Sequence, residues 1–340
     1  MRTTHLITGI TLSALLCSIT LSGTAFGADP RLLNLVMPDA TMLAGANVTN
    51  TEITPFGQYV LTQLTASAGQ ELQTFITTTG FDPRQDVTEI LAASSGSTAN
   101  PSGLVLSIGT FPVQQITAAI AAKSPTLSAQ TYDGATLITS SNPKSTVSIA
   151  FLGTTIAIIG DTASVKAAID RSSAVNSIKP ALAVQVHALS TTEDAWAVTD
   201  SPVASLIPGL ASTGGTAAAG FASQIGQLFS SIQGSSGGIK FGDTVVITGQ
   251  AITTSASNAT SLAGVLLAVV SIASMAGGQD PQIAAFAQLL QGLKVTTDGS
   301  AINIALSIPE TQLETLLNGL KNQAKPAAKT ATIKPAIFVK

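Results

Sequence analysis

Residues 145–171 constrain the fold more than any other stretch of the chain. Val147, Ile149 and Phe151 alternate along one strand, Ile156 and Ile158 along a returning one, and Gly153 marks the turn between them. Asp161 then stands where a carboxylate caps a helix, and Val165, Ala168 and Ile169 form the apolar stripe of that helix. Two strands cannot bury a face alone, so a hairpin with a helix lying back over it belongs to a larger antiparallel α+β assembly.

A variant of the unit recurs near residue 300. Segments 295–297 and 301–308 flank Asp298-Gly299, and Ile302, Ile304, Leu306 and Ile308 alternate with Ala301, Asn303, Ala305 and Ser307. Ser307 and Glu310 read as a capping box around Pro309, ahead of Leu313, Leu316, Leu317 and Leu320 at helical spacing. Earlier pieces also repeat in order. Asp39-Ala40-Thr41-Met42-Leu43-Ala44 precedes the helix start Thr54-Pro55, and Glu193-Asp194-Ala195-Trp196-Ala197-Val198 precedes Ser201-Pro202. The pattern predicts an α+β fold of two similar halves, 28–175 and 176–320, each an antiparallel sheet with helices packed on one face. The boundary falls near 172–180, and the two sheets are free to join.

Between these anchors the pattern predicts strands over 41–48, 87–93, 103–110, 194–199, 239–241 and 244–253. It predicts helices from Pro55, over 70–78 with a stop at Gly80, from Pro112, from Pro180, over 221–232 and from Pro281. Asp133-Gly134 is a hairpin turn. Residues 94–102 and the low-complexity 211–220 read as loops. The apolar run 261–276 is shorter than the ~20 residues a bilayer needs, and reads as a buried core helix rather than a membrane-associated one.

Composition narrows the function classes. Arg2, a weakly apolar run and Ala25-Phe26-Gly27 form a secretory leader over 1–27, which places the protein in the periplasm or outside the cell. Cys17 lies in that leader, so the remainder holds no thiol and, of the two histidines, only His187; disulfides, thiolate sites and His clusters are excluded, and no cofactor is predicted. The segment 28–320 carries 9 Lys+Arg against 18 Asp+Glu, a net −9 (9 − 18), which argues against nucleic acid as a partner. The segment 321–340 carries five lysines and no acid, and reads as a flexible basic tail; Lys321, Lys325, Lys329, Lys334 and Lys340 suit contact with an anionic surface.

Candidate chemistry is sparse. Asp82, Asp86 and Glu89 are the densest acids, but a cap and surface charges account for them. Glu193 and Asp194 read as a solvated turn. Ser141 and Lys144 have a serine–lysine spacing that Pro143 defeats, because that chemistry needs a helix start. Trp196 reads as a core aromatic. Gly80-Phe81-Asp82-Pro83-Arg84, Tyr132-Asp133-Gly134 and the segment 160–170 resemble a group of uncharacterised exported bacterial proteins with a duplicated α+β unit. These motifs are turns and caps, so the resemblance implies a fold and no activity. The sequence predicts no catalytic, cofactor-binding or metal-binding residue. It predicts an exported, non-catalytic binding or scaffold protein that uses the groove between the halves or a sheet face. The alternatives are a carboxylate-dependent hydrolase acting on glycans through acids such as Asp82 and Asp86, and an envelope-surface protein held by its lysine-rich tail.

Overall fold

The computed structural model describes residues 27–66, 69–95, 102–142, 146–173, 175, 178–202, 228–276 and 288–323. Among these residues twelve strands form one antiparallel sheet. They are β1 (Met42–Asn47), β2 (Val87–Ser95), β3 (Ser102–Gly109), β4 (Leu127–Tyr132), β5 (Ala135–Ser140), β6 (Val147–Leu152), β7 (Ile156–Asp161), β8 (Ala195–Thr199), β9 (Ile232–Lys240), β10 (Thr244–Thr253), β11 (Lys294–Asp298) and β12 (Ala301–Pro309). Their order is β11-β12-β10-β9-β8-β1-β2-β3-β7-β6-β5-β4. The described helices are α1 (Pro30–Leu35), α2 (Val48–Glu52), α3 (Pro55–Ala66), α4 (Gly69–Thr79), α5 (Val113–Lys123), α6 (Thr162–Asp170), α7 (Pro180–Ser190), α8 (Ala256–Ala276) and α9 (Glu310–Gln323).

The seam is the β1–β8 pair, with Ala44 opposite Ala197. Reading outward, β2, β3, β7 and β6 follow on one side and β9, β10, β12 and β11 on the other, and the β4–β5 hairpin extends the first side. The two expected sheets are therefore one. The mixed α+β class with an antiparallel sheet is as the sequence predicts.

On the first side helices cover both faces. Ala150, Ile156 and Ile158 pack with Leu32 and Leu35 of α1, Val165 and Ile169 of α6, and Leu182 and Val186 of α7. Their strand neighbours Phe151 and Ala157 point the other way, onto Phe75 of α4, Phe81, Phe111 and Ile116 of α5. Burial on both faces explains why this hairpin is apolar at nearly every position. A register shift between Val87 and Glu89 turns Val87 from the face of Leu91 to that of Phe111. Asp161 caps α6 as expected, accepting the Ser164 N–H at 2.9 Å.

On the second side α8 covers the face that α5 covers on the first, through Leu262 against Ile232 and Ile302. The opposite face carries Thr248, Gln250, Asn303 and Ser307, and Gln250 donates to Asn303 across the strands at 2.8 Å. Three details depart from the sequence reading. β9 begins at Ile232, where the expected helix ends, and takes in Gln-Gly-Ser-Ser-Gly-Gly, which the strand expected over 239–241 leaves out. α9 leaves β12 directly, with the Glu310 N–H on the Asp243 carbonyl at 3.1 Å, and no Ser307–Glu310 side-chain bond forms among the described residues. α8 is not a buried core helix: Ala259 and Leu262 are buried, whereas Leu267, Ile272 and Met275 are exposed, Met275 by 74%. Among the described residues no helix is long and apolar enough to cross a membrane.

Candidate functional site

The register brings one residue from each strand into a row across the sheet. From β4 to β11 the row reads Ala129, Ile138, Ile149, Ile159, Val105, Ala92, Ala44, Ala197, Gly237, Gly249, Ile304 and Val295. Directly opposed residues of neighbouring strands present their side chains to the same face, so all twelve lie on the face that α5 and α8 cover at either side. Branched side chains stand towards both ends, and alanine and glycine form a low floor in the middle. Part of this is required by packing: a Cβ at Gly249 would come within 2.8 Å of Cγ1 of Ile304, which leans over it.

The rim of the floor on the first side is apolar and open. Val105 and Ile159, paired directly, are 43% and 41% exposed, and Val147 on β6 and Ile90 on β2 add 56% and 37%. Their strands are consecutive in the sheet, so the four side chains form one patch beside the cluster under α5. Large apolar side chains are thus left open on this sheet face, beside others that a helix covers. No charged side chain belongs to the row, so what this surface offers is apolar area and shape.

The sequence-predicted candidates lie elsewhere. Asp86 accepts the Asp82 N–H at 2.6 Å, and Asp82 takes Arg84 through its N–H at 3.0 Å and its guanidinium at 2.9 and 2.6 Å. The Arg84 hydrogen bond holds the Asp82 carboxyl below its ordinary range despite partial burial. This is a closed turn. Glu89 is separate from it: it accepts the Asp29 N–H at 3.0 Å at the start of α1, and burial pushes its carboxyl up, the Asp29 bond offsetting only part. The three acids therefore do not share a wall.

Glu193 and Asp194 are not a solvated turn. Asp194 is buried and accepts from Lys240 Nζ at 2.8 Å, the Phe241 N–H at 2.7 Å and Asn50 Nδ2 at 3.3 Å. The Glu193 side chain lies over Gly238, one oxygen accepting from Thr248 Oγ1 at 3.0 Å and the other buried with no hydrogen-bond partner among the described residues. The pair ties the start of β8 to β9, β10 and α2. Their spacing in sequence carries no sign of this, because every partner is at least 46 positions away except the backbone.

Trp196 is a core aromatic as expected, packed so closely on β1 that a Cβ at Gly45 would lie 2.5 Å from its ring. Asp133 and Gly134 form the expected turn, with φ of 43° and 77°. Ser141 donates to the Thr126 carbonyl, His187 is exposed on α7, and Lys144 lies outside the described residues. No group of three or more His, Cys, Asp or Glu side chains able to hold a metal occurs among the described residues. Residues 1–26 of the expected leader, the expected helices at 221–227 and after Pro281, and Lys325, Lys329, Lys334 and Lys340 also lie outside them. Lys321 belongs to α9, which runs to Gln323, past the expected start of the tail.

The chain matches no protein-family model and no curated protein. Its likeness is to TP0453. Crystal form IV of that protein aligns with a TM-score of 0.50 at 9% identity, over 87% of this chain and 98% of that one. Form I aligns at 0.48 and 11%, over 86% and 98%. At such identities the likeness concerns the fold alone.

Proposed function

We propose that this is an exported binding protein without catalytic chemistry, and that its contact surface is the apolar sheet face rimmed by Ile90, Val105, Val147 and Ile159. The single observation behind the reading is the exposure of those four side chains on consecutive strands. The ligand that suits them is an apolar molecule, or the apolar part of an amphiphile, lying along a floor of small residues. Such a ligand gains about 25 cal/mol per Å² of the apolar area it buries. The glycan-hydrolase alternative is not favoured, because Asp82 and Asp86 are engaged in one turn. The same reading treats the two sides of the seam as copies of one unit, with the leader directing export.

The test uses a fluorescent naphthalene sulfonate and a long-chain fatty acid as probes. The Val105→Gln, Ile159→Gln double variant removes apolar area from exposed positions and leaves the core intact. We expect it to fold, by circular dichroism, and to lose most of the probe binding of the wild type. Equal binding by both proteins would defeat the proposal.

A further inference from the structure

Among the described residues the sheet ends in two edge strands, β11 and β4, and they differ in how they are guarded. β11 carries Lys294 and Asp298 at its ends, and charges on an edge discourage stray pairing. β4 is Leu-Ser-Ala-Gln-Thr-Tyr, with no charge and no proline, and its pairing with β5 runs through six residues without a register shift. Residues 128–131 are all exposed.

The turn at Asp133-Gly134 determines which backbone groups of β4 are already used. A two-residue turn makes Tyr132 and Ala135 a hydrogen-bonded pair, and antiparallel alternation then assigns Gln130 and Ser128 to β5 as well. The N–H and C=O groups of Ala129 and Thr131, and the C=O of Leu127, point away from the sheet. The Leu127 N–H is held by the Ser124 carbonyl at 2.9 Å. The strand is also steadied at its end. Lys166 lies 5.0 Å from the centre of the Tyr132 ring, and the Tyr132 hydroxyl donates to Asp170 at 3.1 Å.

We propose that β4 pairs antiparallel with β4 of a second copy of this chain, about a two-fold axis at Ala129. Only this register uses all three outward-facing residues. It sets Ala129 against Ala129 and Leu127 against Thr131 of the second copy, and on the other face Ser128 beside Gln130. Small side chains meet at the axis, an aliphatic one meets the threonine methyl, and no like charges oppose each other. Antiparallel pairing also brings the Asp133 turn at the end of β4 in each copy towards the start of β4 in the other, just after α5 ends at exposed Lys123, so opposite charges approach twice by symmetry. This charge complementarity selects a second copy over an unrelated extended peptide. The two twelve-stranded sheets become one of 24 strands (12 + 12). A six-residue edge covers less than the ~1,200 Å² of a standard stable interface, so the dimer is concentration-dependent and weakened by salt.

Sedimentation velocity over a wide concentration series tests this. The wild type should shift from monomer to dimer as concentration rises. Ala129→Lys and Ala129→Glu, each setting like charges on the axis at an exposed position, should both remain monomeric. An equimolar mixture of the two should dimerise again, which a folding defect would not allow. A wild type that stays monomeric throughout the series, a dimer that survives Ala129→Lys, or a mixture that fails to associate would each overturn the proposal.

Discussion

The side of the seam built on β3 and β7 and the side built on β10 and β12 share an element order but not a depth of burial. On the first, α6 folds back over its hairpin, and Val165, Ala168 and Ile169 are fully buried. On the second, α9 follows β12 as α6 follows β7, yet Leu313, Leu316 and Leu317 are only half-buried. α9 instead reaches α3, where Tyr59 donates to Asn318 at 2.9 Å. The sheet face explains the difference. α6 meets Ala150 and Ile158, whereas the matching face beyond β9 presents Thr248, Gln250 and Asn303, which bond to one another or to Glu193. A helix laid there would bury amides and hydroxyls for little apolar gain. A hairpin followed by an amphipathic helix therefore does not determine its own docking; the residues on the facing strands do.

The largest effect expected from that contrast is in the cores. Ile158→Ala, at a position with no exposure and strands on either side, should cost about 2–5 kcal/mol in urea unfolding. Ile304→Ala, half-exposed beside Gly249, should cost about 1 kcal/mol. Equal losses would mean that the two sides are equally tightly packed, and the comparison would fall. Next comes the latch at the seam. Asp194→Ala removes the acceptor of Lys240, Phe241 and Asn50, and should cost about 1–3 kcal/mol. Amide exchange should rise in β9 and β10 more than in β3 and β7; uniform exchange would show that the latch holds both sides alike.

Gly45→Ala sharpens the same boundary from β1. The new methyl group would press into the Trp196 ring, with an expected loss of about 1–3 kcal/mol. Trp196 is the only tryptophan, so a change in its emission reports the seam directly. Unchanged emission and stability would show that the ring moves aside freely.

The smallest effect concerns Glu89, where α1 joins the first side. Its folded carboxyl titrates above the ordinary value because it is buried. The native state thus binds that proton more tightly than the unfolded chain. The associated stability is fully present below the unfolded value and is lost as pH rises through the folded one. Glu89→Gln should flatten that part of the stability–pH curve. A curve of the same shape in the variant would assign the dependence to another group. Asp29, beside it, works in the opposite sense. Burial pushes it up, but the bonds from Arg31 outweigh burial and lower it, so its contribution is lost as pH falls through the folded value.

Local chemistry was legible wherever one residue answers one backbone need. Asp161 as a cap, Gly80 and Gly134 at positive φ, and the alternation in β12 all stand where the pattern puts them. β9 was legible only at its end, over 239–241, because Gly234, Gly237 and Gly238 carry no strand signal. Their smallness is what the sheet uses: a Cβ at Gly237 would meet the Thr248 carbonyl at 2.6 Å, and Gly238 makes room for Glu193. Nor was the Asp194 latch or the open rim legible, since both depend on pairings between distant strands.

The amino-acid order by itself determined the elements, most of their ends and the scarcity of reactive groups, because periodicity, capping and composition act over a few residues. Tertiary structure alone decided that all twelve described strands share one sheet, which apolar faces a helix covers, and which stay exposed. Those outcomes follow from strand register, and register is fixed by contacts among side chains far apart in the chain.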